Sequence, residues 1–127
     1  LAQVEASPMD LRKSKVISND VDTDYSQLTL MAGYDHCYVV SGSPCAVLSD
    51  LISGRTMQEI ADCPGVQVYT ANKLGITGKT GIFYPDRSAV CLDTQYYPDA
   101  VHHPYWPQPV VKAGEKYLSE TKYIFTF

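Results

Sequence analysis

The chain has 127 residues with 45% hydrophobic content, so it holds one domain at most, with an ordinary globular composition. Ten Lys and Arg against 14 Asp and Glu give a formal net charge of −4, and no basic patch stands out, which argues against nucleic acid. No apolar run approaches the length of a bilayer span.

The four cysteines, Cys37, Cys45, Cys63 and Cys91, form no CxxC pair and no dense framework. They read as reduced thiols of a cytoplasmic protein. The first residue is Leu1, and no charged stretch followed by an apolar run marks a secretory signal. Such a start fits a processed or engineered end, or a piece of a longer chain.

Leu1 to Ala6 alternates weakly, as a strand would, and Ser7-Pro8-Met9-Asp10 reads as a turn. Asp20, Asp22 and Asp24 have calcium-loop spacing. Tyr25 stands where the sharp-turn glycine belongs and Met31 where the bidentate Glu belongs, so an acidic loop with a helical turn is expected. Gln27 to Met31 is strand-like. Asp35 and His36 precede a run, Tyr38 to Val40, of strong β-formers.

Ala46 to Ile52 and Thr56 to Ala61 read as two strands joined at Ser53-Gly54-Arg55. Asp62-Cys63-Pro64-Gly65 is a turn, and Val66, Val68 and Thr70 then alternate with Gln67 and Tyr69. Gly75 to Thr80 lacks the leading glycine of a phosphate loop, and the strand-like Gly81 to Tyr84 follows where a helix is needed.

Val90 and Leu92 alternate with Cys91, Asp93 and Gln95, placing a carboxylate and an amide on one face of a strand. Pro98, Pro104 and Pro107 end it in an aromatic-rich loop. A carboxylate on a rigid strand walled by aromatics suits a sugar site; the plain alternative is an edge strand entering a turn. His102 and His103 lack further ligands for a metal. The last stretch alternates from Tyr117 to Phe127. Nine or ten short strands at this spacing predict an all-β sandwich or barrel.

Several stretches together resemble one family, the galactose mutarotases (aldose 1-epimerases). They are Ser7 to Arg12, Gly33-Tyr34-Asp35-His36, Ser53 to Met57, Pro64 to Thr70, Cys91-Leu92-Asp93-Thr94-Gln95, Pro98-Asp99-Ala100 with Pro104, and Ala113-Gly114-Glu115, in the family's order. The resemblance implies the galactose mutarotase-like β-sandwich, with residues 1–127 as the C-terminal part of a single domain. It implies interconversion of the α and β anomers of galactose or glucose, with no cofactor and no metal.

It further implies that Asp93 is the catalytic base, that Asp35 binds sugar hydroxyls, that Gln67 contacts the sugar, and that His36 is structural. Asp93 departs from the family's usual Glu. The family's general-acid His lies in an N-terminal part that is not among these residues. The expected partners are therefore a monosaccharide and either the missing N-terminal part or a second copy, with no membrane and no nucleic acid. A non-catalytic mutarotase-like sugar-binding or regulatory protein is the alternative.

Overall fold

A computed structural model of the chain describes residues 1–127. Eight strands dominate: β1 (Asp35–Val39), β2 (Ala46–Ser49), β3 (Thr56–Ala61), β4 (Gly65–Tyr69), β5 (Ile76–Thr77), β6 (Phe83–Tyr84), β7 (Cys91–Gln95) and β8 (Thr121–Thr126). One short helix, α1 (Ser26–Met31), and 3-10 turns at Ile17–Asn19 and Ala100–His102 complete the list. The all-β expectation holds. No helix is long and apolar enough to cross a membrane.

Several elements differ from the sequence-based expectation: there are eight strands rather than nine or ten, Asp35 and His36 lie inside β1 rather than ahead of it, and β2 stops at Ser49 rather than Ile52. Gln27 to Met31 lies within α1, not a strand. Six residues make under two turns, too short for a 3.6-residue period to register. Ala32, at φ 57°, ends the helix, and Gly33 N–H donates to Leu28 O at 2.9 Å. Leu1 to Ala6 forms no strand: Ser7 Oγ donates to Val4 O at 2.6 Å, and Ala6 sits at φ 56°. β8 starts at Thr121, not Tyr117. Asp62 accepts bonds from Ser119 Oγ (2.8 Å) and Glu120 N–H (3.0 Å), holding those residues outside the ladder.

The chain divides into two compact units, Leu1–Asp35 with Tyr69–Cys91, and His36–Val68 with Leu92–Phe127. The first is built around Tyr34, which is fully buried. Its hydroxyl donates to Pro8 O at 2.7 Å, and its backbone exchanges bonds with Thr70. Asn72 Nδ2 donates to both Met31 O and Tyr34 O at 3.0 Å. Gly33, at φ +141°, leaves the room this needs, since a Cβ there would stand 2.2 Å from Asn72 Oδ1.

The second unit holds two three-stranded sheets, ordered β1-β4-β7 and β2-β3-β8. In the latter both pairings are antiparallel, and Glu59 of β3 faces Ala46 of β2 and Tyr123 of β8. Met57 with Phe125, and Ala61 with Thr121, share its face by the two-residue period. Thr94 of β7 bonds Thr121 at 2.9 Å between hydroxyl oxygens, so β7 presents its Leu92/Thr94 side to that face. Val66 and Val68 of β4 are buried.

Candidate functional site

The polar face of the β1-β4-β7 sheet is fixed by one glycine. A Cβ at Gly65 would meet Cys37 Sγ at 2.9 Å and Tyr97 Cδ1 at 3.2 Å. Cys37 on β1 and Tyr97 just after β7 therefore meet over β4 where it has no side chain. The Cys37 thiol pKa is pushed up by burial, while the Gln95 side chain acts weakly the other way, which places Gln95 beside it. Strand alternation does the rest. Gln67 shares a face with Gly65, Asp93 with Gln95, and Asp35 with Cys37.

Burial agrees with this division. Val66 and Val68 are buried while Gln67 is half-buried; Leu92 and Thr94 are half-buried while Asp93 is exposed. Asp35, at the first position of β1, and His36 point to opposite sides of their strand. The arrangement gives a carboxylate and an amide on one strand, β7, and a second amide on its neighbour β4, a donor and acceptor set suited to hydroxyl groups. A general base placed there would reach a hydroxyl at its own hydrogen-bond distance.

The loop after β7 borders this face. Trp106 stacks on His103 with ring centroids 4.0 Å apart and meets Tyr97 edge-on at 5.6 Å. Asp99 pairs with His102 Nδ1, and its second oxygen lies 3.7 Å from His103 Nε2. No three of the chain's His, Cys, Asp and Glu side chains gather as metal ligands. A cavity of about 200 Å3 lies elsewhere, lined by Asp22, Leu28, Thr29 and Arg87 among others, and takes in none of Asp35, Gln67 or Asp93. Arg87 there is committed, donating to Asp22 Oδ1 at 2.6 Å and Ala32 O at 2.9 Å.

Sequence reasoning missed Glu59. It is fully buried on β3, and neither carboxylate oxygen makes a hydrogen bond. Burial pushes its pKa up, the neighbouring Tyr123 hydroxyl works the other way, and the Asp93 charge raises it further. Nothing in the alternation of β3 marks it, because Met57-Glu59-Ala61 is no more polar in pattern than Thr56-Gln58-Ile60.

A family model described as aldose 1-epimerase matches residues 1–124. The chain is 36% identical over 132 residues to galactose mutarotase of Bos taurus, covering 99% of this chain and 37% of that protein. It is 31% identical over 133 residues to aldose 1-epimerase of Escherichia coli K12, covering 98% and 38%. A crystal structure of an aldose epimerase homologue from C. elegans superposes with a TM-score of 0.80 at 20% identity, over 97% of this chain and 38% of that one. That likeness shows the fold. The chain thus spans a little over a third of the length of these relatives.

Proposed function

The chain belongs to the aldose 1-epimerase family, and we propose that it carries the base side of a mutarotase site that interconverts the α and β anomers of galactose or glucose. Asp93 is the base that takes the proton of the C1 hydroxyl. Asp35 and Gln67 bind ring hydroxyls. An acid from outside these 127 residues protonates the ring oxygen, the ring opens, C1–C2 rotates, and the ring recloses on its other side. The steps are proton transfers, for which no cofactor is proposed. The observation that carries this reading is the shared face of Gln67, Asp93 and Gln95, set by Cys37 and Tyr97 meeting over Gly65.

The rest of the fold is the proposed partner, these residues being the C-terminal part of one domain; a second copy is the alternative. The coverage of the relatives supports this, as do the exposed apolar side chains of β8 and its flanks, Leu118, Phe125 and Phe127, in a strand that ends its sheet. The cytoplasmic setting expected from the cysteine spacing belongs to the same proposal.

Polarimetry of fresh α-D-galactose with the intact protein is the test. Catalysis above the spontaneous rate that Asp93→Asn removes is expected; equal rates with and without Asp93 would sink the assignment. One observation favours a second reading, a non-catalytic sugar-binding protein: the Asp at 93 is one methylene shorter than the Glu the resemblance calls for. A base displaced by about 1.5 Å, one C–C bond, loses on the order of 100-fold in rate. Asp93→Glu raising turnover by that order would identify a weakened base, whereas sugar binding with no turnover in either form would establish the second reading.

A further inference from the structure

We propose that Gln108 and Trp106 are positioning residues for an aldopyranose bound on the Gln67–Asp93–Gln95 face, acting through Tyr97. This rests on the sugar reading above and goes beyond the residues that would touch the sugar.

The loop from Tyr97 to Val110 carries Pro98, Pro104, Pro107 and Pro109, and no strand pairs with it. Backbone turns at Ala100, His102, His103 and Trp106 shape it, and one side chain ties those turns together. Gln108 Nε2 lies 2.9 Å from each of three carbonyl oxygens, those of Ala100, His103 and Trp106. An amide has two N–H groups, so at least one is shared between acceptors, and all three carbonyls are drawn to one point. That clasp closes the loop on itself and sets where Trp106 stands.

Trp106 has its ring against His103 at 4.0 Å, 20° from parallel, and against Tyr97 at 5.6 Å and 90°. Edge-on contacts of this kind favour one orientation of the pair. Tyr97 in turn rests where Gly65 leaves the sheet bare, with Cys37 beside it. Gln95, two residues before Tyr97, borders the same Cys37. The line of contact runs from Gln108 to Trp106, to Tyr97, to the end of the face that holds Gln95.

A sugar offers hydroxyls, a ring oxygen and a C–H surface, so its affinity depends on polar groups fixed within a fraction of an ångström. β4 and β7 fix Gln67 and Asp93 through their ladders. The end of the face beyond Gln95 has no ladder, and the clasped aromatic pair takes its place. Loosening the clasp lets Tyr97 leave Gly65 and frees the Gln95 side chain.

Trp106 is the one tryptophan of these 127 residues, and its emission, taken as the difference between intact wild type and Trp106→Phe, reports on this buttress. Galactose should change that emission saturably. Gln108→Met keeps the length and removes both donors; a displacement approaching 1 Å predicts about a tenfold rise in half-saturating galactose. Gln108→Lys returns a donor at similar reach and should restore it to within about threefold of wild type. A Gln108→Met titration matching wild type overturns the proposal. Should that variant fail to melt cooperatively, calorimetry on Trp106→Phe and Trp106→Ala decides instead: near-wild-type affinity is expected for Phe, which keeps a ring edge on Tyr97, and about tenfold loss for Ala. Equal affinity in both overturns it. Intact wild-type protein that answers neither galactose nor glucose sinks the sugar reading itself, and the positioning role with it. A responding wild type with indifferent variants sinks the positioning role alone.

Discussion

Glu59 gives the strongest test of the packing. Its side chain is 0% exposed, both oxygens lack hydrogen bonds, and the flanking partners on its face are Ala46 and Tyr123. A buried polar group without a partner costs about 1–3 kcal/mol. Burial raises its pKa above the ordinary 4.5, so the neutral acid is the form the fold prefers. The sign follows: this contribution to stability is fully present below pH 4.5 and is lost as pH rises through the raised folded value. Glu59→Gln keeps the shape and cannot ionise. Its stability advantage over wild type should therefore grow by about 1–3 kcal/mol between pH 4.5 and pH 8. At this chain length that is roughly 3–5 °C of melting temperature per kcal/mol. Glu59→Met, which removes both oxygens at similar volume, should stabilise at every pH. Urea unfolding of the three proteins at four pH values is the assay. Parallel curves for wild type and Glu59→Gln would refute the buried-acid account.

Gly33→Ala should cost more than about 2 kcal/mol, because the new Cβ meets Asn72 Oδ1 at 2.2 Å on a backbone at φ +141°; thermal melting would show it. Tyr34→Phe removes the bond to Pro8 O, which Lys15 Nζ also reaches, so a loss of about 1 kcal/mol or less is expected in denaturant titration. Asp50 accepts bonds from Ile52 N–H, Ser53 N–H and Ser53 Oγ, and these hold its pKa below the ordinary 3.8. That contribution is present above pH 3.8 and is lost as pH falls through the lower folded value, so amide exchange at Ile52 and Ser53 should quicken in acid, and at all pH in Asp50→Ala.

Where neighbouring residues decide the structure, the sequence was legible. β3 covers Thr56–Ala61 as its β-formers and flanking turns foretold, and β7 keeps the alternation of Leu92 and Thr94 against Asp93 and Gln95. Legibility ends where a distant side chain intervenes. Asp62 reaches Ser119 and Glu120 across 57 and 58 positions and delays β8. Gly75 and Gly78 read as loop, yet Ile76–Thr77 between them pairs with Phe83–Tyr84, part of the stretch that read as strand-like. The faces of Asp35, Gln67 and Asp93 could be read from parity, but Tyr97 resting on Gly65 could not, since no local pattern signals it.

β7 separates holding from working by that same parity. Thr94 bonds Thr121 from the side that packs on the β2-β3-β8 sheet, while Asp93 is exposed on the other. Substitutions one residue apart should then have opposite profiles. Asp93→Asn leaves the packed face untouched and should change stability by less than about 0.5 kcal/mol while removing turnover. Thr94→Val keeps the shape but leaves Thr121 Oγ1 without its bond, costing about 1–2 kcal/mol with turnover kept. If Asp93→Asn proves the more destabilising of the two, β7 is seated with its faces reversed, and the grouping of Asp93 with Gln67 falls with it. A slip of one residue is enough to do this, because it exchanges every side chain between the faces. The function proposed for the chain and the packing of its second unit are in this sense one claim about register.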